Sequence, residues 1–128
     1  MANYYATCRS NYVRAKNPKR FKELLLEYDV QIIEDDEERI GFISHMDTGM
    51  PCHNSTGDHI DHDAERVGKH LAEGETLVIM EVGAEKMRYL NGYAVAINWD
   101  GRVCHTYLDE IYSRASANFG TKPTKAEY

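Results

Sequence analysis

The sequence predicts an α+β domain, and three observations carry that expectation. Stretches with strand periodicity alternate with stretches of helical periodicity; Asn17-Pro18 spells out a helix start; Asp100-Gly101 spells out a two-residue hairpin turn.

Tyr4 to Ala15 reads as a strand, with Tyr4, Ala6 and Cys8 pointing one way and Tyr5, Thr7 and Arg9 the other. Ser10-Asn11 interrupts the alternation and marks a bulge or an end. Asn17 is a helix N-cap followed by proline at the first helical position, and Phe21, Leu24, Leu25 and Tyr28 then form one apolar stripe. Val30–Ile33 and Arg39–Ser44 are two short strands joined as a hairpin around the acidic run Glu34-Asp35-Asp36-Glu37-Glu38.

Residues 45–63 form a long loop rich in His and Asp, and loops of that length are often functional. A second helix over Asp63–Glu73 places Ile60, Ala64, Val67 and Leu71 on one face, with Gly74 closing it. Leu77-Val78-Ile79-Met80 is an unbroken apolar run, which predicts a central strand covered on both faces. Tyr89–Trp99 is a long strand alternating Tyr93, Val95 and Ile97 with Ala94, Ala96 and Asn98. It turns at Asp100-Gly101 and returns through Val103, His105 and Tyr107. A last helix carries Leu108, Ile111, Tyr112 and Ala115, with Gly120 beyond its end.

The order is β-α-β-β-loop-α-β-β-β-α. Its first six elements are a ferredoxin-like βαββαβ unit with helices on one face of the sheet, extended by a C-terminal hairpin and helix. The expected organisation is one domain over residues 1–120 with a flexible tail at 121–128, within the size range of a single core.

Composition narrows the function classes. Hydrophobic residues make up 42% and charged residues 28%, an ordinary globular balance. No apolar run approaches the roughly 20 residues of a membrane span, and Met1–Tyr5 has no signal-peptide character, so the expected setting is the cytoplasm. Three cysteines without CxxC spacing point the same way, with Cys8 and Cys104 expected as small buried residues on strands. The net charge is −6, yet residues 1–22 hold six basic residues and no acid, while all 21 acids follow from Glu23 onward. Such segregation is either solvated surface or a pair of opposite fields able to steer charged partners.

Four chemistries can be weighed against these residues. Cys52, His53, His59 and His62 supply the donor atoms of a zinc site, although their spacing matches no established finger. Catalysis finds no GxSxG elbow and no cysteine signature; Glu81 and Glu85 beside Arg88 and Tyr89 are its best carboxylates. The glycines match no phosphate-binding loop. Nucleic-acid binding is suggested by Tyr4 and Tyr5 on the first strand, by Arg9, Arg14 and Lys16, and by Arg39-Ile40-Gly41-Phe42-Ile43, a faint echo of an RNA-recognition signature. The overall negative charge opposes that reading.

Several segments together resemble small proteins carried by bacteriophages, plasmids and other mobile elements. These are Ala2-Asn3-Tyr4-Tyr5-Ala6-Thr7-Cys8-Arg9-Ser10-Asn11-Tyr12, His70–Glu75, Met80–Leu90, Gly92–Ala96 and Leu108–Tyr112. Residues 45–63 depart from the pattern. The resemblance implies an accessory protein of the bacterial cytoplasm, of a kind that includes anti-CRISPR and anti-restriction inhibitors of host defence complexes. Such inhibitors present carboxylates where nucleic-acid phosphates would sit. Here that implies partner binding by Glu34, Asp35, Asp36, Glu37 and Glu38 together with Asp58, Asp61, Asp63 and Glu65. No catalytic residue and no cofactor comes with it, and exposed aromatics leave a homodimer open.

Overall fold

The computed structural model describes residues 4–46, 52–85 and 89–126. Within them the elements run β1 (Tyr4–Ser10), α1 (Pro18–Leu26), β2 (Gln31–Glu34), β3 (Ile40–Met46), a 3-10 turn (Ile60–Asp63), α2 (Ala64–His70), β4 (Thr76–Glu85), β5 (Tyr89–Asn98), β6 (Val103–Tyr107) and α3 (Glu110–Phe119). The six strands form one sheet in the order β2-β3-β1-β4-β5-β6, antiparallel at every pairing. The class is α+β.

The local signals act as their chemistry requires. The Asn17 side chain accepts the Arg20 N–H at 3.2 Å and caps α1, whose Phe21, Leu24 and Leu25 are buried, as is Tyr28 just beyond. Gly101 adopts φ 87° in the β5–β6 turn, a conformation open to glycine at little cost. β1 ends sooner than its alternation suggests: at Asn11 the backbone N–H still donates to Val78 O at 3.0 Å, and the side chain makes the remaining bonds to β4. Asn11 Nδ2 donates to Thr76 O at 3.0 Å and Oδ1 accepts from Val78 N at 2.8 Å. Beyond it only isolated bridges remain, Val13 to Ile40 and Ala15 to Leu71. The second of these also ends α2 early: Leu71 turns extended, Lys16 N–H donates to His70 O, and Ala72 N–H donates to Arg14 O.

One face of the sheet is covered. Cys8, Phe42, Leu77, Ile79, Val95 and Ile97 meet Phe21, Leu25, Val67 and Leu71 of the helices and their flanks in a single core. The opposite face corrects the expectation drawn from Leu77–Met80. β4 is central in strand order, yet Met80 and Val82 are 60% and 64% exposed. The run is apolar on both sides because the outer side is an open apolar surface, not a second core. α3 buries none of its side chains; its Leu108 approach and Ile111 line a cleft on the open face with Met80, Val82, Ala94 and Thr106.

The cysteines need a second correction. Cys8 and Cys52 are both buried and joined as a disulfide, while Cys104 is exposed on β6. The partners lie 44 residues apart, so spacing alone did not reveal them, and the inference of a reducing compartment from unpaired cysteines loses its basis. Among the described residues no helix is long and apolar enough to cross a membrane.

Candidate functional site

The segment after residue 51 is held in place, not loose. Asn54 Oδ1 accepts N–H groups from Thr56 and Asp58, Gly57 takes φ 83°, and His53 bridges back to His59. Ile60, fully buried, donates its N–H to Cys52 O, and the disulfide ties that residue to the centre of the sheet. This anchoring fixes His59 at the N-cap of the 3-10 turn with its ring directed inward, 7% exposed.

Three neighbours meet that ring. Tyr93 of β5 hydrogen-bonds its Nε2 through the phenol oxygen. Glu81 of β4 places Oε1 3.8 Å from Nε2. Asp61, two residues on, places Oδ1 2.9 Å from Nδ1 while its own N–H points at Nδ1 from 3.2 Å. Nδ1 cannot serve both: bare, it accepts the N–H; protonated, it faces the carboxylate. His105 of β6 completes the group, with Nε2 3.1 Å from Asp61 Oδ2.

Burial by itself pushes the His59 pKa down, but the adjoining Glu81 and Asp61 carboxylates outweigh it and the net shift is upward. Burial likewise pushes Asp61 up, and His59, with His105 and His62, overrides it to hold Asp61 below its ordinary value. The cluster therefore favours the ion pair. One imidazolium serves two carboxylates: protonated Nδ1 faces Asp61 Oδ1 at 2.9 Å, while Glu81 Oε1 has no hydrogen-bond partner. Glu81 is 2% exposed. Keeping a carboxylate there costs several kcal/mol unless something compensates it.

The cluster opens into a cleft of about 360 Å³. It is lined by His59, Asp61 and Glu81 together with Tyr93, Tyr107, Asp109 and His62. The two tyrosine rings stack at 5.8 Å, and Tyr107 continues the stack to His105 at 6.1 Å.

The residues expected from sequence divide between several places. Of the metal candidates, Cys52 is consumed by its disulfide, His62 is exposed beside Asp58, and His53 packs edge-on against His59. Among the described residues no three His, Cys, Asp or Glu side chains converge as metal ligands. The acidic run is largely engaged within the chain: Glu34 pairs with Lys22, Asp35 with Arg39 at 2.6 Å, and Glu37 with Arg14 at 3.1 Å. Asp36 and Glu38 face solvent. In the second acidic cluster Asp63 accepts from Tyr28 and Arg66, Asp61 turns into the cleft, and Asp58 and Glu65 are exposed.

Of the residues proposed for nucleic acid, Tyr5 and Arg9 lie on the open face, whereas Arg14 is engaged by Glu37 and Lys16 is exposed near the end of α2. Arg88 lies outside the described residues, as do positions 47–51 of the long loop; Tyr4 is described only as part of β1. Tyr93, Tyr107 and His105 were not singled out in the sequence, and Glu81 was paired there with Glu85, not His59. One signal was available: Glu81 occupies the inner position of a strand whose other inner residues are Leu77 and Ile79.

Comparison with known proteins adds no relative: no protein-family model, no curated protein and no solved structure matches this chain.

Proposed function

We propose that this chain is a binding domain, built on a ferredoxin-like frame, whose binding site is the cleft over His59, Asp61, Glu81 and Tyr93. The frame is supported by β1 lying between β3 and β4 with β2 outside β3, the arrangement a split βαβ unit requires. The site is carried by one observation: Glu81 keeps a buried carboxylate oxygen without a hydrogen-bond partner beside a cleft large enough for a ligand group. A group retained against its own desolvation is a mark of function at the expense of stability.

Replacing Glu81 by Leu and by Gln tests this. On this reading both variants fold and the Leu variant melts at or above the wild-type temperature, because a buried carboxylate with an unsatisfied oxygen is removed while His59 keeps Asp61. A Leu variant that fails to fold, or melts well below wild type, assigns Glu81 to holding the fold together and ends the proposal.

A second reading is favoured by the open face, where Tyr5, Met80, Val82 and Leu90 are each about half exposed or more. An apolar sheet face of that kind fits a protein partner. With the likeness to mobile-element proteins, that partner is a bacterial host defence complex, and Asp36 and Glu38 are the acids free to steer it. Pull-down from bacterial lysate with Met80→Glu and Val82→Glu separates the cases. Capture of one nuclease-resistant complex, lost in the variants, supports it; salt-sensitive capture of nucleic acid replaces it with an RNA-recognition-like role.

A further inference from the structure

From the chemistry of the same cleft we infer its ligand class: an organic cation, a guanidinium or ammonium group, seated against the carboxylates and the tyrosine rings. The inference rests on the cleft being a binding site and goes further by naming what it binds.

Charge is the first argument. Asp61, Glu81 and Asp109 line the cleft, and among the described residues its lining contains no lysine or arginine. The positive charge available comes from histidines alone. His59, between Asp61 and Glu81, neutralises one carboxylate when protonated, and His105 reaches Asp61 Oδ2 at 3.1 Å but makes no contact with Glu81. A cation entering the cleft supplies the charge and donors that the buried Glu81 carboxylate lacks.

Hydrogen bonding is the second. Carboxylate oxygens are acceptors only; Glu81 Oε1 lacks a donor, and Asp61 Oδ1 has one only while His59 Nδ1 is protonated. Anionic ligands and bare carbonyls bring no donor and meet repulsion. Guanidinium and ammonium bring several donors and a full charge, the combination that makes the stronger class of hydrogen bond.

Shape is the third. The stacked rings of Tyr93 and Tyr107 line the cleft together with the carboxylates, and aromatic linings favour planar or compact organic cations. A bare metal ion fits less well, since the described residues offer no set of three converging ligands. Two sources present this chemistry: a free amine such as agmatine, or an arginine or lysine side chain on a partner protein.

Titration of ¹⁵N-labelled full-length protein at pH 7.5 with agmatine, with a capped Gly-Arg-Gly peptide and with its citrulline counterpart decides the matter. Zinc chloride and inorganic phosphate serve as further probes. The expected result is a shift of cleft resonances by agmatine or the arginine peptide and none by the citrulline peptide. Affinity should fall about tenfold or more in Glu81→Gln, and severalfold in Tyr107→Leu, an exposed change that leaves the carboxylates in place. Tighter binding of the peptide points to a partner's side chain, and tighter binding of agmatine to a free amine. Cations that bind equally well to both variants sit elsewhere and overturn the inference. Binding of citrulline, phosphate or zinc in the cleft, lost in Glu81→Gln, overturns the ligand class but keeps the site. No response to any probe in a folded wild type overturns the ligand class, while the stability of Glu81→Leu still judges the site separately.

Discussion

Glu81 and Tyr93 face each other across the β4–β5 register, and both reach the imidazole of His59, which arrives from a different part of the chain. Two long strands thus present a carboxylate and a phenol at a fixed spacing, and the disulfide-anchored turn brings the ring to them. The local consequences of this meeting can be measured one at a time.

The His59 titration should respond to each carboxylate separately. Because Glu81 and Asp61 are what lift the imidazole against its burial, Asp61→Asn and Glu81→Gln should each lower its pKa. Following the His59 ring proton by NMR from pH 5 to 9 reads this directly. A His59 that titrates unchanged in Asp61→Asn removes the ion pair from the account.

Global stability should carry the same signature. His59 has a folded pKa above its ordinary 6.5, so its contribution is complete below that pH and is lost as pH rises through the folded value. Asp61 has a folded pKa below its ordinary 3.8, so its contribution is present above that pH and is lost as pH falls through the folded value. The pair is most stabilising between about pH 4 and 6.5, and melting temperature should decline on the alkaline side of that window. His59→Gln should flatten the alkaline limb. At higher pH a second decline belongs to Tyr28, whose phenol is pushed up to about 12 by burial and by its hydrogen bond to Asp63. A wild-type melting temperature that is level from pH 6 to 9 contradicts the first part.

The contrast between fold and site follows from the range of the interactions involved. Periodicity and turn chemistry are local, so the Phe21–Tyr28 stripe, the Asn17 cap and the Asp100-Gly101 turn were all legible, and the order of elements with them. Partnerships across the sheet were not. The acidic run looked like free charge because nothing local announces Arg14 and Lys22 as its partners. Cys8 and Cys52 looked unpaired for the same reason, and the apolar run in β4 could not say which of its sides a helix covers. His59 was read as a metal ligand because its neighbours in sequence are donors. Its neighbours in space are Glu81 and Tyr93.

Gly68 tests how tightly α2 is seated. A methyl group there would meet Asn98 O at 2.7 Å and the Gly101 N and Cα at 2.8 and 2.9 Å, all backbone atoms that cannot rotate aside. Alanine favours a helix over glycine by up to about 1 kcal/mol. Forcing the helix off the β5–β6 turn costs more, about 1–3 kcal/mol. Gly68→Ala should therefore lower stability in urea denaturation. A more stable variant shows that α2 has room to move and that the close approach matters little.

The Cys8–Cys52 bond should stabilise the fold and the site by different amounts. It closes a loop spanning 44 residues, for which the chain-entropy argument gives about 4 kcal/mol, an upper figure because strain and residual structure subtract from it. Reduction should lower the midpoint of unfolding in wild type and leave a Cys8→Ala/Cys52→Ala double variant unaffected. The turn that carries His59 hangs from Cys52 through the Ile60 N–H, so reduction should loosen the site before the sheet. In hydrogen exchange, the amides of Ile60 and His62 should lose protection under reducing conditions while those of Leu77 and Ile79 keep theirs. Equal protection in both redox states shows that burial of Ile60 alone is enough to hold His59 in place.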